Sequence, residues 1–258
     1  MKNRLESKST IALFLALSLL IFIARNSIAG EKAGDITNPP LYLVYDVTYA
    51  GGHIAEVDFS QSRPYSYKGQ TVTELECRVE SSGLFDLNGL YRSIVKDDYS
   101  VLFLSSDEGK PGNKRIIEYY FDYSKHSATV IDKRVSGTDT TSATSVINDI
   151  NQKYFDTVSM IFRIKQGVDT LKAPSYIPVF IEGRQDSILI ESVSEVQAEG
   201  PDGDSVAAYW VKARLPRPPY PGFGDRVEIY ISKDEDRIPL RGRIEMALGY
   251  LEINLRPR

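Results

Sequence analysis

The chain contains one cysteine, Cys77, two histidines, His53 and His126, and one tryptophan in 258 residues. A single cysteine forbids an internal disulfide, so stability has to come from the core. Two separated histidines with one cysteine do not make a zinc ligand set by spacing, and no metal or other cofactor is expected. No Gly-x-Ser-x-Gly elbow, P-loop or dinucleotide fingerprint occurs, so no catalytic, cofactor-binding or metal residue is assigned. Positive charge is also in deficit, with 31 Lys and Arg against 35 Asp and Glu. Past the first 29 residues, no apolar run approaches the roughly 20 residues of a spanning helix.

The first residues are a different matter. Lys2, Arg4 and Lys8 form a basic start, Ile11–Ala24 is an apolar stretch of 14 residues, and Ser27-Ile28-Ala29 is a small-x-small site before Gly30. That is the pattern of a secretory signal peptide; the alternative is an uncleaved anchor. No cysteine follows the apolar stretch, so a lipoprotein anchor is excluded. Cleavage takes a net +3 from a total of −4 and leaves 229 residues at −7. Such an acidic chain has no electrostatic case for nucleic acid or anionic headgroups. The expected organisation is a signal peptide at 1–29, a polar lead-in at 30–40 and one β-rich domain at 41–258. The expected location is the periplasm or envelope.

What fills 41–258 is alternation. In Arg226–Leu255, Val227, Ile229 and Ile231 oppose Glu228, Tyr230 and Ser232. Ile238, Leu240, Ile244, Met246 and Leu248 then oppose Pro239, Arg241, Arg243, Glu245 and Ala247, and Leu251, Ile253 and Leu255 finish the pattern. A period of two marks half-buried strands, and antiparallel sheet with one dry face follows. Leu41–Tyr49 and Ile54–Ser60 form a hairpin about Gly51-Gly52. Leu75, Cys77 and Val79 point inward in Thr71–Ser81, which makes Cys77 a small buried hydrophobe. Asp107–Lys114 and Val135–Ser145 read as loops, and Gly83–Leu90 as a loop or short helix. Only Asp156–Gln166 has helical spacing, with Asp156 as N-cap, Lys165 near the C-terminal end and Gly167 in the left-handed position past it. The expectation is all-β: a single-domain, antiparallel, open or closed barrel of about ten or eleven strands with one helix packed on or in it.

Candidate chemistry is sparse. Asp97-Asp98 and Asp234-Glu235-Asp236 are carboxylate clusters of the kind a glycosidase needs, but both fall in turns. Asp202 and Asp204 lack the spacing and closing Glu of a calcium loop. Arg237, Arg241 and Arg243 stand on the wet face, where Glu228, Glu245 and Glu252 offer cross-strand pairs. The proline-rich Pro216–Gly224 reads as a stiff connector, with a partner-binding segment as the alternative. Tyr45, Tyr49, Tyr119 and Tyr123 point inward, which suits either an amphiphile-lined cavity or a packed core with hydroxyls at its rim.

Three stretches together resemble a bacterial envelope family, the domain of unknown function 3108. They are LYLVYDVTYAGGHIAEVDF, the helix YFDTVSMIFR with Asp156 and Ser159, and the closing EIYISKDEDRIPLRGRIEMALGYLEINL. The resemblance covers Leu41–Leu255 and departs at Pro216–Gly224. It implies a secreted, β-rich envelope domain and no established reaction, cofactor or site residue. In outline the shape is similar to periplasmic lipoprotein-carrier barrels, a likeness of architecture. The expected function is therefore non-enzymatic, with a hydrophobic ligand or lipidated partner. The alternatives are an envelope scaffold with a packed core and, behind both, an exported hydrolase with a dispersed site.

Overall fold

The computed structural model describes residues 41–81, 88–110, 112–218 and 222–257. The expected signal peptide and lead-in, residues 83–87 of the Gly83–Leu90 stretch and residues 219–221 of the proline-rich stretch lie outside them.

Two antiparallel meanders make one sheet. The first is β1 (Leu41–Tyr49), β2 (Gly52–Gln61), β3 (Tyr65–Tyr67), β4 (Gln70–Ser81), β5 (Gly89–Val95), β6 (Val101–Lys110), β7 (Asn113–Asp122), β8 (Ser127–Ser136) and β9 (Asp139–Asn148). A helix, α1 (Thr157–Gly167), the single one among the described residues, follows. The second is β10 (Ser175–Ile181), β11 (Arg184–Glu199), β12 (Ser205–Arg214), β13 (Phe223–Ser232), β14 (Pro239–Met246) and β15 (Gly249–Leu255). Strands adjacent in sequence pair with each other, except that β3 is a flap on β4 and α1 separates β9 from β10. The meanders join where β1 pairs with β15, from Tyr45 opposite Leu255 to Tyr49 opposite Leu251. The opening and closing hairpins are therefore neighbours at the centre of the sheet.

The sheet is not closed by a ladder: it ends at β9 on one side and β10 on the other. Its barrel-like outline comes from contacts across that seam. Phe180 on β10 packs edge-on against Phe121, with ring centroids 4.9 Å apart, and against Tyr119 at 5.3 Å, both on β7. The connector before α1 stitches one end. Ile150 N–H donates to His126 C=O at 3.0 Å, and Tyr154 C=O accepts from Val101 N–H at 3.0 Å. Phe155 then bridges to β10, accepting from Phe180 N–H at 2.8 Å and donating to Pro178 C=O at 3.2 Å.

Fifteen strands exceed the ten or eleven expected. Val135–Ser145 is no loop. It completes β8, turns at Gly137 with φ 61° and builds most of β9. Threonine is a good strand former, but a strand wet on both faces shows no alternation. Asp107–Lys114 is likewise two strand ends about a tight turn, with Lys110 opposite Asn113.

The helix lies where its spacing placed it. Val158, Met160, Ile161, Phe162 and Ile164 are buried, and α1 packs on β4, β5 and β10. Asp156 is a capping box with Ser159: its Oδ1 accepts from Val158 N–H at 2.6 Å and Ser159 N–H at 3.1 Å, while Ser159 Oγ accepts from Asp156 N–H at 2.9 Å. Gly167 corrects the expectation. It is the last helical residue, before a right-handed Val168, rather than a left-handed cap. A Cβ there would meet only the end of the Arg163 side chain, Nη1 at 2.9 Å, which can swing aside, so nothing in the structure requires the glycine. Asp156→Ala removes both accepted bonds in a buried setting. A loss of about 1–2 kcal/mol is expected in urea unfolding, and an unchanged midpoint would contradict the cap's role.

On the closing strands Leu240 and Ile244 are buried and Ile238 and Met246 partly so. Leu248 departs from the inward set: it is 81% exposed at the tip of the β14–β15 turn.

Candidate functional site

The inward faces of β4, β5 and β6 carry polar groups under the N-terminus of α1. Cys77, Ser93, Asp156 and Ser159 are at most 1% exposed, and Glu108 is 6% exposed. Tyr91 O–H donates to Glu108 Oε1 at 2.7 Å. Burial pushes the Glu108 carboxyl up to about 7, against the Tyr91 hydrogen bond and the positive charge of Arg115, both of which favour its charged form. Burial also raises Asp156, opposed by the Ser159 N–H and the nearby Ser93 hydroxyl. Asp156 Oδ2 and Ser93 Oγ nevertheless have no hydrogen-bond partner among the described residues. Burial pushes the Cys77 thiol well up, which makes it inert, as its inward position suggested.

Of these residues Tyr91 and Asp156 border a cavity of about 50 Å³, which is lined also by Ser106, Ile117, Tyr119 and Phe180, among others. That volume suits a few waters, each of which needs about 10–15 Å³ of such space. Water bridging Asp156 Oδ2 is the chemistry the cavity admits. Sequence reasoning missed this cluster. The signal was present in Leu104, Ser106 and Glu108, which continue the inward period of β6 past its apolar part.

The residues singled out from sequence do not converge. His53 Nε2 lies 3.1 Å from Asp46 on the surface. His126 occupies the β7–β8 turn with φ 52°. Asp98 accepts from Ser100 N–H at 3.1 Å and pairs with Lys153, and although burial opposes it, these partners hold its carboxyl at about 2. Asp234 accepts from Arg237 N–H at 2.9 Å and Ser232 Oγ at 2.8 Å within its own turn. Asp202 and Asp204 sit in the β11–β12 turn, where Gly200 N–H donates to Asp204 C=O at 2.8 Å. Among the described residues no three His, Cys, Asp or Glu side chains are grouped as metal ligands would be. Arg241 and Arg243 pair with Glu252 at 2.6 and 3.0 Å, the cross-strand arrangement expected. Arg237 does something else: it donates to Gln166 C=O at 2.7 Å and Asp169 Oδ2 at 2.9 Å, fastening the β13–β14 turn to the C-terminal end of α1.

Three of the four inward tyrosines satisfy their hydroxyls on backbone, while Tyr119 lines the cavity. Tyr45 O–H donates to Pro239 C=O at 2.9 Å, Tyr49 O–H to Leu248 C=O at 3.0 Å and Tyr123 O–H to Val101 C=O at 2.9 Å. On the outside, Tyr154, Tyr176, Gln185 and Pro216 border an open polar groove of about 360 Å³. Pro216 is the one residue of the proline-rich stretch among its walls.

A family model described as "Protein of unknown function (DUF3108)" matches residues 44–256. No curated protein matches the chain. Among solved structures, a beta-barrel-like protein of domain of unknown function DUF1849 from Brucella abortus is similar, with 6% identity and a TM-score of 0.42. The match covers 86% of this chain and 97% of that one.

Proposed function

The chain belongs to the DUF3108 family, and from that premise we propose that it is a non-enzymatic, exported protein of the cell envelope that acts through its surface, as a scaffold or assembly factor. The observation that carries this reading is the filled interior. The buried face of α1 and the rings of Phe121, Tyr154 and Phe180 occupy the concave side of the sheet, and the cavity beside them is about 50 Å³. Sites for drug-sized or lipid-like ligands take roughly 300–1,000 Å³. The hydroxyls of Tyr45, Tyr49 and Tyr123, three of the four that would greet an amphiphile, are spent on backbone carbonyls. Asp156 and Glu108 give the hydrolase reading two buried titratable groups, but only Asp156 lines the cavity, one of its oxygens is committed to capping α1, and the space before it is about 50 Å³.

Export rests on the Lys2–Ala29 pattern and scaffold character on the packed core. Native mass spectrometry of protein purified from the periplasmic fraction tests both. The expected species is a chain starting at Gly30, with no mass shift on organic extraction. Stoichiometric release of an amphiphile would overturn the packed-core reading and favour a ligand carrier.

A further inference from the structure

The two ends of the sheet are not alike. β10 is protected: Pro178 has no N–H to offer, and Phe155 occupies the backbone beside it. β9 is not. It runs ten residues, Asp139–Asn148, in unbroken register with β8 from Ser127 opposite Asn148 to Ser136 opposite Asp139. It contains no proline, lysine or bulge, and the side chains of Asp139–Val146 are exposed on both faces. These are the devices by which edge strands are ordinarily blunted.

The β8–β9 connection is a two-residue turn, Gly137-Thr138, so Ser136 and Asp139 exchange ladder bonds. Every second pair then does the same. The N–H and C=O groups of Thr140, Ser142, Thr144 and Val146 consequently point away from β8. Among the described residues none of them has a backbone partner on that side. Only the last outward group is engaged, where Gln185 Nε2 reaches Asn148 C=O at 3.5 Å.

We propose that Thr140–Val146 pairs antiparallel with the same segment of a second copy, about a two-fold axis at Ala143. The proposal deepens the scaffold reading and rests on it. This register aligns all four free residues, Thr140 with Val146 and Ser142 with Thr144, for about eight backbone hydrogen bonds. Asp139 is the only charged residue of β9, so a self-paired edge meets no like-charge repulsion. On β8, Asp132 is engaged with Arg115 at 2.8 Å and Lys133 with Glu118 at 3.0 Å, and the more exposed Arg134 lies 3.9 Å from Asp132, so β9 itself offers no charge cluster that selects a partner of opposite charge. The small Ala143 at the axis suits the close, non-hydrogen-bonded pair, whose Cα atoms approach to about 4.5 Å.

Two variants of the full mature chain and one control test this. Thr144→Pro deletes an outward N–H and leaves the β8 ladder its bonds. Sedimentation at roughly 100 μM should show dimer for the parent chain and a folded monomer for the variant. Ala143→Cys should form an interchain disulfide on mild oxidation, since about 4.5 Å lies within disulfide reach and Cys77 is buried. Asp202→Cys, in an exposed turn, should not. A parent chain that stays monomeric, a dimer that survives Thr144→Pro, or equal crosslinking at both cysteines would overturn the proposal. So would a monomer whose Thr140–Val146 outer amides exchange slowly at every concentration, which would place a segment of the chain itself on the edge. None of these outcomes releases a lipid, so the packed-core reading would stand or fall separately.

Discussion

Phe180→Ala is expected to cost about 3–5 kcal/mol in equilibrium unfolding, the range for a fully buried Phe, and to act on one place. Phe180 is 1% exposed and meets three aromatic rings: Phe121 at 4.9 Å, Tyr119 at 5.3 Å and Tyr154 at 6.3 Å. Elsewhere along the β10-to-β9 path a strand is held by a ladder on both sides, so losing one ring leaves the backbone bonds in place. At the β9–β10 seam no ladder exists. There the outline is kept by this ring cluster and by the two hydrogen bonds between Phe155 and β10. Hydrogen exchange should therefore show β10 and the paired half of β11 opening first, while β4 to β7 keep their protection. Tyr176→Ala, on the same strand but 71% exposed, should stay within about 0.5 kcal/mol. A cost for Phe180→Ala below about 1 kcal/mol, or a uniform loss of protection, would mean that the seam is held by something other than side-chain packing.

The seam also marks how far the sequence could be read. Strands with one dry face announce themselves, as in Leu75, Cys77 and Val79, because burial imposes a period of two. The helix does so through Val158, Ile161 and Phe162, with Asp156 and Ser159 closing its first turn. Three features left no such trace. β9 is wet on both faces, so Thr140–Val146 has the composition of a loop although every residue of it stands in register opposite β8. The joining of β1 to β15 sets residues about 200 positions apart side by side, which no local pattern specifies. The polar interior hides in Asp107-Glu108-Gly109-Lys110, which looks like a solvated turn. Glu108 points inward only because it shares a face with Leu104 and Ser106 on β6 and opposes Gly89 on β5. Register with a partner strand, rather than residue type, buries that charge.

Glu108→Gln is expected to stabilise the protein, and only where Glu108 is ionised. The carboxyl is 6% exposed, and burial raises it from 4.5 to about 7. Below about pH 4.5 it is neutral whether the chain is folded or unfolded, and it costs nothing. Between about 4.5 and 7 the unfolded chain ionises freely while the folded one resists, so stability falls as pH rises through that window. At 1.36 kcal/mol per unit the full penalty is on the order of 3 kcal/mol, reached above pH 7. Glutamine removes the charge but keeps a carbonyl oxygen able to accept from Tyr91 O–H, the bond that holds Glu108 Oε1 at 2.7 Å. Nor does it strand Arg115, whose Nε and Nη2 already donate to Asp132 at 3.1 and 2.8 Å. At roughly 2–4 °C per kcal/mol for a chain of this size, the variant should melt about 6–12 °C above the parent at pH 8 and close to it at pH 4.5. A gain of equal size at both pH values would assign the effect to packing rather than ionisation. A loss at pH 8 would mean that the charge of Glu108 is used in the folded protein, and would return the buried acids to consideration as a working site.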